Sequence, residues 1–247
     1  MDTQNQPQIF SDHTLEQTST HSVSKSFFAN VFLWMFAALA ISTAFAFLFS
    51  NNATLLSHMI SEQGGLSTIG KVTMFAPLGF VLLMSFGYQK LNATLMAALF
   101  IIYAAINGIS FSFILLVFTP GSVIGCFASA AVMFGIMAVM GYTTTKDLTA
   151  FGRIMTMGLI GIVVAMLINF FLKSDGLDYL ISIIGVAVFT GLTAYDVQKL
   201  KRISIGLEYE GQDTASVRKL SILGALTLYL DFINLFLMLL RLFGNRR

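Results

Sequence analysis

The sequence predicts an all-α polytopic membrane protein, a bundle of seven transmembrane helices. Of its 247 residues, 56% are hydrophobic and only 11% are charged, whereas about a quarter of an ordinary soluble domain is charged. The apolar residues are collected in runs of about 20, the length that crosses a bilayer as a helix. Polar segments separate these runs, so residues 25–247 are predicted to form one seven-helix transmembrane domain without a separate soluble module.

Residues 1–24 are polar, rich in Ser, Thr and Gln, and contain no Lys or Arg. A secretory signal carries positive charge before its apolar core, so a signal peptide is not expected here. The segment has too little apolar surface to fold by itself and is predicted to be a disordered tail. His13 and His21 lie within it and are interpreted as solvated side chains rather than metal ligands.

Seven apolar runs follow this tail, separated by polar or turn-forming residues such as Thr119-Pro120-Gly121. The longest inner connection is predicted at 199–220. The single cysteine, Cys126, lies inside an apolar run, so neither an internal disulfide nor a thiolate metal cluster is expected. The spans are predicted at 27–49, 72–88, 93–118, 122–141, 154–172, 179–198 and 221–243.

The positions of the basic residues favour an N-terminus in the cytoplasm. In that orientation nine of the 14 Lys and Arg residues fall on the inner side and five on the outer side, as the positive-inside rule requires. Arg246 and Arg247 then lie outside, and a re-entrant last span would bring them inside. The formal charge of +2 is too small and too dispersed to indicate a nucleic-acid partner.

Two aspartates lie within apolar runs, where a carboxylate is costly. Asp196 lies near the inner end of the sixth span, and Asp231 lies deeper within the seventh. A charged side chain at bilayer depth costs about 2.5–3.5 kcal/mol on insertion scales, so it faces protein or water and marks a candidate site. Helical spacing places Thr193 beside Asp196 and Asn234 beside Asp231 as polar support.

If the sixth and seventh spans are neighbours, Asp196 and Asp231 form a proton-sensitive pair. Two like charges in poorly solvated surroundings do not both ionise easily, so the pair tends to share one proton. A protonated pair closes by a hydrogen bond, whereas two ionised carboxylates repel or attract a cation such as calcium. Calcium takes about 6–8 oxygen ligands, so the two aspartates predict only a weak, transient metal site, which suits passage better than storage.

Other interpretations of these aspartates remain. Asp196 could form a simple ion pair with Lys199 or Lys201 at the end of its helix. Tyr195-Asp196 is similar to the first motif of intramembrane aspartyl proteases, but their Gly-x-Gly-Asp motif is absent at Asp231. No metalloprotease, serine-hydrolase or phosphate-loop motif is present either. The sequence therefore predicts a protein that is not an enzyme and holds no tightly bound cofactor.

The segments around the two aspartates carry a family resemblance. The sequence GLTAYDVQKLKR at 191–202, followed by LGALTLYLDFINLFLMLLRLFG at 223–244, resembles the paired C-terminal signature of the Bax inhibitor-1 family. This family contains bacterial inner-membrane proteins and eukaryotic organelle proteins. The seven-span layout and the polar N-terminal tail extend the resemblance over nearly the whole chain.

The resemblance implies a multi-pass protein of the cell inner membrane with its last helix at the centre of the bundle. It implies that Asp196 and Asp231 act as the pH sensor and gate of a calcium leak, with calcium and protons as partners. Bacterial relatives are also linked to membrane-protease quality control. The alternative function is therefore a non-transporting regulator that binds and modulates a membrane protease, and a further alternative is a hydrogen-bonded latch without transport.

Overall fold

The computed structural model describes residues 8–61, 65–210 and 213–247, without the side chains of 8–24 and 208–210. Within these ranges the protein consists of helices and loops. Seven of the helices are long and apolar enough to cross a membrane, which confirms the predicted fold class. The helices are α1 (Gln8–Ser50), α2 (Ala53–Met59), α3 (Thr68–Gly87), α4 (Ala93–Val117), α5 (Pro120–Thr143), α6 (Thr149–Leu172), α7 (Asp175–Glu210) and α8 (Thr214–Phe243).

The predicted inner connection at 199–220 was wrong, because most of this segment is helical. Helix α7 continues to Glu210, and α8 begins at Thr214. Leu200 and Leu207 recur at helical spacing and are buried, so they hold the polar extension of α7 against the bundle. The side chain of Asp213 accepts the backbone N–H of Ser216 and caps the start of α8.

The N-terminal tail is described only in part. The backbone of residues 8–24 continues α1 as a helix, where the sequence predicted a disordered segment, and residues 1–7 lie outside the described part of the chain. Among the side chains of α1 that the structure describes, Phe27, Val31 and Met35 are buried in the core. The domain boundary at residue 24 therefore stays a prediction.

Helix α8 lies at the centre of the bundle, as the resemblance implied. It contacts α1, α3, α4, α5 and α7. In its most apolar stretch 72% of the residues are buried, whereas only 6% are buried in the corresponding stretch of α6. Because α8 faces protein on almost every side, a polar residue placed on it is removed from lipid, and this is the position of Asp231.

Candidate functional site

The candidate site lies between α7 and α8, which pack side by side in opposite directions. Gly185 on α7 lies against Met238, and Leu200 on α7 lies against Gly224. Asp196 lies between these two contacts on α7, and Asp231 lies between them on α8. The register therefore brings the two aspartates face to face, with their carboxyl groups close enough to interact directly.

Both carboxyl groups of this aspartate pair are buried. Asp231 is only 5% exposed and Asp196 only 9% exposed. The Oδ2 atom of Asp231 is enclosed and has no hydrogen-bond partner within the described part of the chain. Because ionised carboxylates can only accept hydrogen bonds, the two side chains can form a hydrogen bond with each other only when one carboxyl is protonated and donates to the other.

The ion pair considered for Asp196 is not formed. In the described part of the chain the ion pairs are Arg202 with Asp147 and Arg241 with Asp178. Lys201 instead donates from Nζ to the carbonyl oxygen of Tyr142 at 2.8 Å and lies over the ring of the same tyrosine. The buried pair therefore has no lysine or arginine in direct contact, and the positive charge of Lys199 acts on Asp196 only from a distance.

The two predicted polar neighbours of the pair, Thr193 and Asn234, lie on the same helices as the aspartates. The hydroxyl of Thr193 donates to the carbonyl oxygen of Phe189 at 2.8 Å, the common i−4 bond of a threonine within a helix. Asn234 is half-buried. Among the residues that the structure describes, neither side chain forms a hydrogen bond with Asp196 or Asp231, since spacing along one helix does not determine where a side chain finds its partner.

Close helix approaches surround Asp196 on two further sides. Gly141 on α5 lies against the backbone of Ala194, and Gly152 on α6 lies against the ring of Tyr195. At either glycine a Cβ atom would overlap these neighbours. The absence of side chains at these two positions on α5 and α6 therefore allows three helices to meet around residues 194–196.

A polar clamp, formed by Gln198, Arg202 and the α5–α6 loop, lies next to the aspartate pair. The Oε1 atom of Gln198 accepts the backbone N–H of Leu148 at 2.8 Å, and its Nε2 donates to the carbonyl oxygen of Lys146 at 2.8 Å. Arg202 donates to Gln198 and forms an ion pair with Asp147. The clamp fastens the loop to α7 immediately after Asp196.

The clamp also sets the ionisation of its exposed acid. Hydrogen bonds from Thr149 and from the Arg202 guanidinium hold the pKa of Asp147 well below its usual range. Asp147 thus keeps its negative charge at any physiological pH. The clamp was not predicted from the sequence, where its only local signal is the i, i+4 spacing of Gln198 and Arg202 on one helix face.

A second polar cluster, also not predicted, joins α8 to α1 and α4. The hydroxyl groups of Ser42 and Tyr229 are 2.7 Å apart. Asn107 donates from Nδ2 to the hydroxyl oxygen of Tyr229 at 3.0 Å and to that of Tyr103 at 3.3 Å. In the sequence Asn107 stands out only as a polar residue in an apolar span. The cluster fixes α8 two residues before Asp231.

The described residues contain no group of three or more His, Cys, Asp or Glu side chains able to hold a metal ion. Two carboxylates supply fewer oxygens than the roughly 6–8 that calcium takes. A cation at this pair would need water or backbone oxygens to complete its coordination. The two carboxylates alone therefore do not complete a calcium site.

These features define a class of protein: a polytopic membrane protein with a buried pair of facing carboxyl groups on two neighbouring helices, one of them central. The family model described as "Inhibitor of apoptosis-promoting Bax1" matches residues 24–247. The chain therefore belongs to the Bax inhibitor-1 family, and the resemblance found at 191–202 and 223–244 is confirmed.

Similar proteins occur in distant bacteria. The chain is 46% identical to "Inner membrane protein YbhL" of Escherichia coli K12 over 223 residues, 90% of this chain and 93% of the relative. It is 41% identical to a protein of Deinococcus radiodurans, over 94% of this chain and 96% of the relative. It is also 39% identical to a protein of Rickettsia prowazekii, over 96% and 99% respectively.

Proposed function

We propose that this protein is a pH-sensitive calcium leak channel or transporter of the inner membrane, with Asp196 and Asp231 as its pH sensor and gate. The observation that carries the proposal is the burial of two facing carboxyl side chains, on α7 and on the central α8, that are close enough to interact directly. The name of the Escherichia coli relative supports the inner membrane, and the distribution of basic residues supports a cytoplasmic N-terminus.

The proton shared by the pair acts as the latch. While one carboxyl is protonated, the hydrogen bond joins α7 to α8. When the proton leaves, two negative charges face each other in surroundings that screen them poorly, and they repel. Repulsion favours a second arrangement of the two helices, so the proton occupancy of the pair shifts the population between two states.

The charge of the ionised pair selects what passes. With no lysine or arginine in direct contact within the described part of the chain, an ionised pair attracts a cation from water. Calcium prefers carboxylate oxygens, and a site with only two of them binds weakly enough to release the ion on the other side. No covalent step and no tightly bound cofactor enter this proposal.

The test is calcium entry into proteoliposomes between pH 6 and 8, with the Asp196→Asn and Asp231→Asn variants beside the wild type. An amide does not share a proton in this range, so each variant is expected to flatten the pH profile of the flux. Asp175→Asn is the matched control, because Asp175 is an exposed acid in the first turn of the same helix, and it is expected to keep the wild-type profile.

Two outcomes would contradict the leak. A flux equal in the wild type and in Asp231→Asn would remove the pair from the gate. No protein-dependent flux at any pH would favour the alternative, a regulator that binds a membrane protease, and this would be tested by recovery of that protease in a mild-detergent pull-down.

A further inference from the structure

A lateral groove runs between α1 and α5. It consists of two adjoining cavities of about 610 Å³ and 460 Å³, each within the range of roughly 300–1,000 Å³ that is usual for small-molecule sites. Leu39, Thr43, Phe47 and Phe127 line both cavities, so the two form one continuous groove.

The floor and walls of this groove are mainly apolar, and Phe111, Ile114 and Leu115 of α4 complete the wall of the second cavity. Helices α1 and α5 are not closely packed against each other within the described ranges, and α8 closes the space between them with Phe232 in one cavity and Phe236 in the other. Phe36 and Phe47 on α1 are more than half exposed. Since both walls belong to helices that span the membrane, the open side of the groove faces the acyl chains of the bilayer.

One end of the groove is polar and lies where the spans end. Ser50 and Asn51, at the end of α1, line it together with Arg247. The C-terminal residues are held there by backbone bonds: Arg247 donates its N–H to Val117 at 2.9 Å, and Thr119 donates its N–H to Asn245 at 2.9 Å. The position of Arg247 at the mouth is therefore built into the fold.

Arg247 has no acidic partner among the residues that the structure describes. The ion pairs in those ranges involve Arg202 and Arg241, and neither lies at the groove. An unpaired guanidinium at the level where helices leave the bilayer is suited to a phosphate oxygen, which it can bind through two parallel hydrogen bonds. The groove thus presents an apolar slot of membrane depth with a cation at its end.

We propose that this groove binds an anionic phospholipid, with an acyl chain between α1 and α5 and the headgroup phosphate at Arg247. The apolar part of the groove lies along the membrane spans, as the acyl chains of a phospholipid do, and the cationic end lies where the phosphate of its headgroup would be. Membrane lipid also reaches the open side of the groove directly. This site is separate from the aspartate pair, and its existence does not depend on calcium flux.

The experiment is native mass spectrometry of the full chain in mild detergent, titrated with phosphatidylglycerol and with phosphatidylcholine carrying the same acyl chains. Phosphatidylglycerol is expected to bind about fivefold more tightly, which corresponds to about 1 kcal/mol for one basic residue at an anionic surface. Ala131→Trp fills the groove and is expected to weaken binding at least about tenfold. Ala128→Trp, exposed on the same helix but outside the groove, is expected to bind as the wild type does.

A second pair of variants separates the headgroup from the acyl chain. Arg247→Gln is expected to abolish the preference for phosphatidylglycerol while retaining some lipid, and Arg246→Gln is expected to keep the preference, since Arg246 does not line the groove. Both changes lie on an exposed tail, so they decide the question even if Ala131→Trp fails to fold. Three results would overturn the proposal. The wild type could bind the two lipids equally, or both arginine variants could lose the preference equally. The third is a dimer that Ala131→Trp dissociates, because the groove would then be an interface between two copies of the chain.

Discussion

Helices α5 and α7 approach each other closely beside the aspartate pair, where Gly141 lies against Ala194. The substitution Gly141→Ala tests this contact. A Cβ atom at Gly141 would lie 2.9 Å from the Cα and carbonyl carbon of Ala194, and closer still to its carbonyl oxygen. Carbon atoms attract each other best at about 3.5–4.0 Å. The two helices must therefore move apart by at least about 0.5 Å, because backbone atoms cannot rotate out of the way as a side chain can.

The expected cost follows from this overlap. Adding a methyl group to a filled contact destabilises a protein by about 1–3 kcal/mol. For a chain of this size 1 kcal/mol shifts the Tm by about 2–4 °C, so Gly141→Ala is expected to lower the Tm by about 2–12 °C. Gly135→Ala is the matched control on the same helix, because a Cβ atom there would meet no neighbouring group within 4 Å.

The assay is thermal unfolding of the purified variants in one detergent, followed by loss of the monodisperse protein. Gly135→Ala is expected to be neutral or slightly stabilising, since alanine is the better helix former. If Gly141→Ala melts at the same temperature as Gly135→Ala, the inference that α5 and α7 are in direct backbone contact at Ala194 is refuted.

Three further changes test the polar contacts. Tyr229→Phe removes the hydroxyl shared with Ser42 and Asn107, and the free energy of unfolding in detergent is expected to fall by about 0.5–1.5 kcal/mol. Gln198→Leu removes the two hydrogen bonds that the Gln198 side chain forms with the backbone of Leu148 and Lys146. Hydrogen–deuterium exchange at 144–149 is therefore expected to rise roughly tenfold. Asp147→Asn is expected to change the Tm by the same amount at pH 6 and pH 8. The pKa of Asp147 is lowered in the folded protein, so its stabilising effect is complete above the unfolded pKa of about 3.9 and is lost only as the pH falls through the lower folded value.

Each of these tests has a control and a contrary result. Tyr179→Phe alters an exposed tyrosine and is expected to leave the unfolding free energy unchanged; an equal loss in both tyrosine variants would contradict the role given to the buried cluster. Arg153→Gln alters an exposed cation on α6 and serves as the control for exchange in the loop. A Tm difference between wild type and Asp147→Asn that varies from pH 6 to pH 8 would show that Asp147 titrates there.

The aspartate pair shows how far the sequence leads toward the site. Asp196 and Asp231 were recognised because each interrupts an apolar run, and the cost of a carboxylate in lipid depends only on its immediate surroundings in the chain. That they meet depends on the register of α7 against α8, set by Gly185 against Met238 and Leu200 against Gly224. Local spacing also suggested Thr193 and Asn234 as polar support; neither is hydrogen-bonded to the pair among the described residues, so this role stays a prediction.

The extension of α7 shows where composition misleads. Residues 199–210 are charged enough to suggest a loop, yet Leu200 and Leu207 bury their side chains against the bundle. The partners that make this helix stable are on other elements. The polar clamp could not be predicted for the same reason: Gln198 and its partner Lys146 lie 52 residues apart in the chain.

The sequence by itself determined that this is a seven-helix membrane protein of the Bax inhibitor-1 family with two acids inside its spans, because transfer of a segment into the bilayer depends on its own composition and length. Only the tertiary structure decided that the two acids face each other in the buried interior, that Gln198 and Tyr229 anchor the helices around them, and that α1 and α5 leave a groove. These features depend on packing between residues far apart in the chain, which in lipid is governed by close contact and interhelical hydrogen bonds rather than by hydrophobicity.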